Sequence, residues 1–365
     1  MTVSARPPRV LLLTSSPLDG ADGSDVALAR DVLGALPDIE FLWFSQWPGR
    51  RGRPLPPVGR AIALWSGDGA PHAPVRLQAA LAGAVAARRA DLVHAFLTIG
   101  RAFPAFSWLR PLMLGARPVV HSVPGVMDSR LLARTRPLGT TVALTESMAR
   151  RLRAADFGDV RVIPPMVPLG RWPCLPRPEG VPVVLFVGHH DPHGGAAIAV
   201  EAAAEAARAG ARFRLVLAMR GRPGQNTAAL GDELRELSGA VGLTDFEVRG
   251  YVENMHALLA SAHVLLFPPP VIGGKADIPF TVLQALATGR PAILSDLPQF
   301  ADLGDAVLRA PAGDARRTGQ QLLWLLEQPR VWDMLAERGR AIVEESFGPE
   351  RFAAQYAALY RELLA

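Results

Sequence analysis

Cysteine and lysine are almost missing from this 365-residue sequence, which contains one of each, Cys174 and Lys275. A single cysteine excludes a disulfide framework and a cysteine-based zinc or iron–sulfur site. No apolar run approaches the roughly 18 residues of a membrane span, and Val10–Leu13 is too short for a signal-peptide core. We therefore expect a cytoplasmic protein without a membrane-spanning segment.

The composition is that of a folded protein with a sizeable core. Hydrophobic residues make up 49% of the chain and charged residues 20%, so disorder is excluded. The 33 prolines and 34 glycines are dispersed, which excludes a collagen-like or low-complexity chain. At about 150 residues per domain, the length suggests two domains.

Positive charge is carried almost entirely by arginine and is concentrated in the first half. Arginine bias explains the high isoelectric point, so the charge alone does not indicate nucleic-acid binding. Residues 1–168 hold 20 basic and 12 acidic residues, whereas residues 169–365 hold 19 and 22. A basic first half is compatible with an anionic acceptor or a membrane surface, and equally with compositional bias that has no function.

Short apolar runs alternate with longer segments of helical periodicity along the whole chain. Strands rich in Val, Ile and Leu without polar alternation are typical of parallel sheets buried on both faces. The predicted strands are Arg9–Thr14, Ile39–Phe44, Asp91–Phe96, Arg117–Val123, Thr141–Leu144, Val160–Ile163, Val183–Val187, Phe213–Ala218, Phe246–Arg249, Val264–Phe267 and Pro291–Leu294. The predicted helices are Asp25–Leu36, Val75–Arg89, one from Glu146, Ala196–Ala209, Thr227–Val241, Met255–Ala262, Pro279–Thr288 and two at the C-terminus.

A segment with seven prolines and no periodicity, residues 164–182, separates two such alternations and predicts a linker. The pattern thus predicts an α/β fold of two Rossmann-like doubly wound domains. Two such units joined by a proline-rich hinge predict a ligand cleft between the carboxyl ends of the two sheets.

Three stretches of the second half resemble the retaining glycosyltransferases of family 4, also called glycosyltransferase group 1, which have the GT-B fold. They are Val184–Ala202, Gly250–Pro268 and Lys275–Asp296. Ile163–Pro173 resembles the interdomain segment of that family, and Phe347–Leu364 resembles its terminal helix.

The resemblance implies sugar transfer from a nucleotide-sugar donor with retention of configuration and without a metal or cofactor. It implies an acceptor-side domain over residues 1–168, on which the C-terminal helix 347–365 packs, and a donor domain over residues 169–346. The acceptor is an unidentified small molecule, glycan or lipid-linked molecule, and no nucleic acid is expected.

A glycine loop before a predicted helix forms the strongest candidate anion site. Gly273 and Gly274 allow close approach of a ligand, Asp277 occupies an N-cap-like position, and Pro279 suits a first helical turn. Free N–H groups at such a helix start bind anions. Lys275 lies in this loop and is predicted to contact a phosphate or a sugar hydroxyl, or else is a surface lysine without a role.

Several positions depart from the family pattern. Where the family carries an Arg, a Lys and two Glu residues, this chain has His189, Gly194, Ala276 and Gln284. We therefore hypothesise that the phosphate contacts are rebuilt from other residues, with Gln284 retaining a hydrogen bond to a ribose hydroxyl. The predicted donor-binding residues of the second half are Gly188, His189, Arg220, Arg222, Gly274, Lys275, Asp277 and Gln284.

The first half offers weaker signals. Gly20 and Gly23 resemble the glycine loop of the family and are predicted to bind donor, although an ordinary strand–helix loop explains them equally well. Pro124 occupies the place of a family histidine that touches the transferred sugar. His94 and His121 are therefore the catalytic candidates, and a structural role is the alternative for each.

A histidine cluster and two aromatic–arginine clusters remain ambiguous. His189, His190 and His193 with Asp191 suit a metal, but Pro192 favours a loop, and no metal is predicted.

Peripheral membrane contact is suggested by aromatics beside arginines, although such aromatics are also common in cores. These residues are Trp43, Phe44 and Trp47 before Arg50, Arg51 and Arg53, and Phe103, Phe106 and Trp108 before Arg110.

Two other functions stay open from the sequence. The substituted donor positions are compatible with a non-catalytic nucleotide or phospho-sugar binder, or a partner subunit. They are also compatible with an enzyme of the same fold that uses a donor other than a nucleotide sugar.

Overall fold

The computed structural model consists of two compact units, each built on its own sheet. The described residues are 6–20, 23–46, 59–65, 73–189, 191, 193–221, 227–273 and 276–365. The first unit comprises residues 1–166, 273–277 and 349–365, and the second comprises residues 167–272 and 278–348. Among the described residues, no helix has the length and apolarity needed to span a membrane.

The first unit is a parallel sheet with helices in the connections. Its strands are β1 (Arg9–Thr14), β2 (Glu40–Gln46), β3 (Arg60–Trp65), β4 (Leu92–Phe96), β5 (Val119–Val123), β6 (Thr140–Ala143) and β7 (Val160–Val162). Its helices are α1 (Ser24–Ala35), α2 (Ala73–Ala87), α3 (Phe103–Trp108), α4 (Arg110–Leu114) and α5 (Glu146–Arg153), with a 3-10 helix over Ser129–Arg134. The described strands follow the order β3-β2-β1-β4-β5-β6-β7. Every residue of β4 and β5 is buried, because helices cover both faces of a parallel sheet.

The second unit repeats this architecture. Its strands are β8 (Val183–His189), β9 (Arg214–Arg220), β10 (Phe246–Arg249), β11 (Val264–Phe267), β12 (Ala292–Ser295) and β13 (Leu308–Ala310). Its helices are α6 (Ala196–Arg208), α7 (Thr227–Ala240), α8 (Met255–Ser261), α9 (Phe280–Ala287), α10 (Ala315–Glu327) and α11 (Pro329–Ser346), with a 3-10 helix over Pro298–Leu303. All described pairings are parallel, in the order β10-β9-β8-β11-β12-β13. The expectation of two Rossmann-like sheets is confirmed.

The last helix, α12 (Pro349–Leu364), belongs to the first unit. The hydroxyl of Tyr356 lies 2.8 Å from Ser122 Oγ on β5, and that of Tyr360 lies 2.6 Å from His94 Nδ1 on β4. All four side chains are buried. Because buried polar groups cost free energy unless they are paired, these hydrogen bonds hold α12 in one register on the sheet.

Three features of the fold differ from the sequence predictions. Strands β3 and β13 were not predicted, because β3 is an edge strand with a largely exposed start and β13 is only three residues long. Three helices follow β13 rather than two, since Pro329 begins a new helix directly after α10. Helix α9 begins at Phe280, with Pro279 as its N-cap.

A buried arginine holds the start of the second unit against its core. Arg290 is 1% exposed, and its guanidinium donates to the carbonyls of Leu259 at 3.1 Å, Pro176 at 2.9 Å, and Leu175 and Ala260 at 3.4 Å. Burial lowers the pKa of this guanidinium. Leu175 and Pro176 lie in the proline-rich segment, so one side chain fixes that segment to the helix before β11.

We expect Arg290→Lys to lower the stability of the protein by about 3 kcal/mol, because a compact ammonium cannot reach carbonyls on two segments and leaves buried acceptors unpaired. Calorimetry should show a thermal midpoint several degrees lower. The exposed Arg330→Lys is the matched control and should leave the midpoint unchanged. Equal midpoints for Arg290→Lys and the wild type would contradict this account.

Candidate functional site

The strand order of the second unit reverses between β8 and β11. β8 continues through α6 to β9 on one side, whereas β11 continues through α9 to β12 on the other. The connections after two such strands diverge, which leaves a crevice at their carboxyl ends where ligands of parallel α/β sheets bind. The candidate site lies at this switch point.

The turn between β8 and α6 is packed tightly against the segment that follows β11. Gly195 is the N-cap of α6 and has φ +92°. A Cβ atom at Gly195 would lie 2.8 Å from the carbonyl carbon and oxygen of Pro268. A side chain is therefore excluded both by the left-handed backbone and by the neighbouring chain. This contact brings the start of α6 to the carboxyl end of β11.

Two helices begin beside the switch point with their N-termini uncapped by described side chains. Gly195 precedes α6 and Pro279 precedes α9, and neither N-cap accepts a side-chain hydrogen bond. Neither first turn contains an acidic residue. The positive ends of both helix dipoles, with first-turn N–H groups that no N-cap side chain accepts, thus suit an anion.

Polar side chains from neighbouring elements surround these helix starts. His189 and Arg220 are register partners at the carboxyl ends of β8 and β9. The Arg220 guanidinium lies 5.5 Å from the ring centroid of Tyr251, which is 58% exposed. Gln284 is half-buried in the second turn of α9. The structure thus brings His189 and Arg220 together, and it adds Tyr251, which the sequence reasoning missed.

Gly188 has a packing reason in addition to its predicted role in the site. A Cβ atom at this position would lie 2.8 Å from the ring of Phe186, which is buried and stacks on Phe267. The glycine therefore makes room for an aromatic ring of the core immediately below the site.

Asp277 does not cap α9, so that prediction is wrong. Its carboxylate is 2% exposed, accepts a hydrogen bond from Thr145 Oγ1 and lies 3.9 Å from Arg151 Nη1. Its N–H donates to Pro124 O at 2.8 Å. These contacts explain why residues 273–277 group with the first unit. Three other predicted donor-binding residues, Arg222, Gly274 and Lys275, lie outside the described residues.

The histidine cluster after β8 is described only in part. His193 is exposed, and its N–H donates to Asp191 Oδ1 at 3.0 Å, whereas His190 lies outside the described residues. Within the described part of the chain, no group of three or more His, Cys, Asp or Glu side chains is placed to hold a metal ion.

The glycine loop of the first unit leads into a helix whose first turn contains an acidic residue, unlike the first turns of α6 and α9. Gly23 is the N-cap of α1, and the first helical turn contains Asp25, which is 7% exposed. The Asp25 carboxylate accepts hydrogen bonds from the N–H and hydroxyl groups of Ser15. The carbonyl of Gly20 accepts from Arg30 at 2.9 Å. A carboxylate thus lies at the start of α1. Its negative charge disfavours the binding of a donor phosphate at this helix start.

The two catalytic candidates are both fully buried histidines. His94 Nε2 lies 2.8 Å from Ser122 Oγ, and its ring stacks on Phe96 at 3.9 Å. His121 Nε2 donates to Leu97 O at 2.9 Å. Burial lowers the pKa of His94 well below its usual value and that of His121 to about 4. Burial thus favours the neutral form of both rings and supports the structural alternative for each.

Comparison with known proteins agrees with this geometry. Residues 181–328 match the family model described as Glycosyl transferases group 1. This stretch contains β8 through α10, and hence the switch point and both helix starts. The resemblance to this group of glycosyltransferases is thus confirmed over these residues. No curated protein sequence is significantly similar to the chain.

Solved structures of glycosyltransferases share the fold over nearly the whole chain. Sucrose-phosphate synthase from Thermosynechococcus elongatus is 19% identical, with a TM-score of 0.78 and coverage of 98% of this chain and 99% of that one. HepE from Anabaena, solved with UDP and glucose, is 13% identical, with a TM-score of 0.75 and coverage of 97% and 100%. A UDP-forming trehalose-phosphate synthase from Burkholderia xenovorans is 13% identical, with a TM-score of 0.71 and coverage of 98% and 100%. The chain thus has the GT-B fold.

We expect Gly195→Ala to destabilise the protein more than Gly210→Ala does. Both positions have positive φ, +92° and +103°, but a Cβ atom at Gly210 would meet nothing within 4 Å. Left-handed strain of about 1–2 kcal/mol is common to both variants. The contact with Pro268 should add on the order of 1–3 kcal/mol at Gly195 alone. Thermal midpoints measure the difference. Equal midpoints would show that the turn accommodates the added methyl group at Gly195 without further loss of stability.

We expect the stability of the protein to fall as the pH drops from 7.5 to 5.5, and to fall less in His121→Phe. The pKa of His121 is about 4 in the folded protein, so below pH 6.5 the unfolded chain takes up a proton that the folded chain does not. The contribution of neutral His121 to the free energy of unfolding is therefore fully present above pH 6.5. It is lost as the pH falls towards 4, the pKa in the folded protein. His121 should account for about 1 kcal/mol between pH 7.5 and 5.5. Denaturant unfolding at both pH values tests this, and an unchanged pH dependence in His121→Phe would refute it.

Proposed function

We propose that this chain transfers a sugar from a nucleotide-sugar donor to an acceptor and binds the donor at the switch point of the second unit. The observation that carries the proposal is the pair of uncapped helix starts, α6 and α9, on either side of the carboxyl ends of β8 and β11. A nucleoside diphosphate carries the negative charge that such helix starts attract. The family match over residues 181–328 supports the same location.

The described side chains suit the two halves of such a donor. Arg220 supplies a cation next to His189, where the diphosphate would meet the start of α6. Gln284 can donate to or accept from a ribose hydroxyl without adding charge. As the bond to the sugar breaks, negative charge grows on the leaving diphosphate. Fixed N–H groups and a guanidinium stabilise that charge more than they stabilise the ground state.

We further propose that the reaction retains anomeric configuration and needs no metal ion, and that the first unit supplies the acceptor site. Helix N–H groups and arginine can perform the charge stabilisation that a divalent cation performs in other transferases. Transfer should then persist in excess EDTA, and nuclear magnetic resonance of the product should show the configuration of the donor sugar.

The first test is a thermal-shift measurement with UDP, GDP, ADP and dTDP and with free sugar phosphates. A ligand at a hundred times its dissociation constant should add about 2.7 kcal/mol of stability. We expect one diphosphate to stabilise the wild type, and Arg220→Gln to weaken it at least ten-fold through loss of a charge-assisted contact. Lys275→Ala and Gln284→Ala complete the set, and they test the contacts predicted for those two side chains.

Arg208→Gln is the matched control, because it removes the same charge at the opposite end of α6. It should leave diphosphate affinity unchanged. Stabilisation by a sugar phosphate but by no diphosphate would replace the nucleotide-sugar donor with a simpler one. Binding without turnover of any sugar donor would replace the enzyme with a non-catalytic binder.

A further inference from the structure

The outer face of α2 carries a stripe of exposed apolar side chains from Leu77 to Val85. Leu77, Leu81 and Val85 recur every four residues and are 63%, 61% and 55% exposed. The opposite face contributes Ala86 and Ala87 to the core. A helix that is apolar on both faces is normally covered on both, so the exposed stripe of α2 points to a second apolar environment.

The neighbouring helices continue this apolar surface. Helix α4 packs against α2 and α3, and Leu112 on α4 is 82% exposed. Leu109 and Trp108, at the junction of α3 and α4, are 51% and 55% exposed. We call Leu77, Leu81, Val85, Trp108, Leu109 and Leu112 the apolar face. Six large exposed apolar side chains on adjoining elements exceed the scattered exposure that is ordinary for a protein surface.

Arginines border the apolar face at Trp108. The Arg136 guanidinium lies 3.2 Å from the ring centroid of Trp108, whose Nε1 donates to Arg134 O at 3.3 Å. Arg134 and Arg136 are exposed and line a surface cavity of about 720 Å³ together with Trp108. Among the described residues, neither guanidinium is paired with a carboxylate. Residues 73–137 contain nine arginines and two acidic residues in all.

We propose that the apolar face and its arginine border dock the protein on an anionic lipid bilayer. Leucine and valine side chains would enter the interface between headgroups and acyl chains, and Trp108 would lie at headgroup depth with lipid phosphates on Arg134 and Arg136. At about 1.5 Å per residue, the 15 residues of α2 span about 22 Å, so the helix would lie in the plane of the membrane. The cavity beside Trp108 offers room for a headgroup.

Charge favours a bilayer over a second copy of the chain. A two-fold dimer through the apolar face would place the same arginine-rich border of each copy against the other. Like charges that meet in this way oppose association, whereas an anionic bilayer complements them. The proposal concerns the first unit alone and does not depend on the proposed transfer reaction.

Co-sedimentation of the full chain with vesicles tests the proposal. One set of vesicles contains phosphatidylcholine alone, and the other contains equal parts of phosphatidylcholine and phosphatidylglycerol. We expect binding to the anionic vesicles that weakens at high salt, and little binding to the neutral ones. Leu77→Gln/Leu81→Gln/Leu112→Gln should abolish binding, and Arg134→Gln/Arg136→Gln should weaken it by roughly ten-fold or more.

Matched variants of the second unit test whether any loss of vesicle binding is specific to the apolar face and its arginine border. Trp324 and Met334 are exposed apolar residues of the second unit, so Trp324→Gln/Met334→Gln should bind as the wild type does. Arg316→Gln/Arg330→Gln makes the same charge change on exposed arginines of that unit and should also bind normally. Circular dichroism shows whether the leucine variant is folded, and the arginine pair tests the surface independently.

Three outcomes would overturn the proposal. One is failure of the wild type to sediment with anionic vesicles, and another is equal binding to both vesicle types with no loss in the Arg134/Arg136 variant. The third is a dimer in lipid-free ultracentrifugation that the leucine variant converts to a monomer, which would assign the apolar face to self-association.

Discussion

The backbone contact between Gly195 and Pro268 is the constraint on which the candidate site depends. A Cβ atom at Gly195 would lie 2.8 Å from the Pro268 carbonyl, so this left-handed position requires a residue without a side chain. With that contact in place, the first N–H groups of α6 lie beside the carboxyl end of β11, from which the chain continues towards α9. The site is therefore a property of chain packing, and it needs no charged side chain to attract an anion.

The two units show how one topology yields two different sites. Both sheets have a switch point, between β1 and β4 in the first unit and between β8 and β11 in the second. In the first unit, Asp25 in the opening turn of α1 binds Ser15 and places negative charge at the helix start. In the second unit, the opening turns of α6 and α9 carry no acid. Electrostatics, rather than fold, thus favours the second unit for a phosphate-bearing donor.

Much of the fold could be predicted from the sequence, because buried parallel strands are continuous apolar runs that need no knowledge of their neighbours. β1 and β11 have the predicted bounds. The site was harder to predict, because its geometry depends on contacts between distant segments. Gly195 precedes a predicted helix, but nothing in the local sequence shows that Pro268 lies against it. Asp277 has the spacing of an N-cap, yet Thr145, 132 residues away, competes for its carboxylate.

The same limit applies to surfaces. Trp43 and Phe44 looked like Trp108 in the sequence, since each lies near arginines, but they are 8% and 4% exposed in the core of the first unit, whereas Trp108 is 55% exposed. Trp47, Arg50, Arg51 and Arg53 lie outside the described residues. Sequence proximity of aromatic and basic residues therefore does not distinguish a core from an interface. Helical spacing is more informative. It puts Leu77, Leu81 and Val85 on one face of α2, whereas the opposite face of the helix packs in the core.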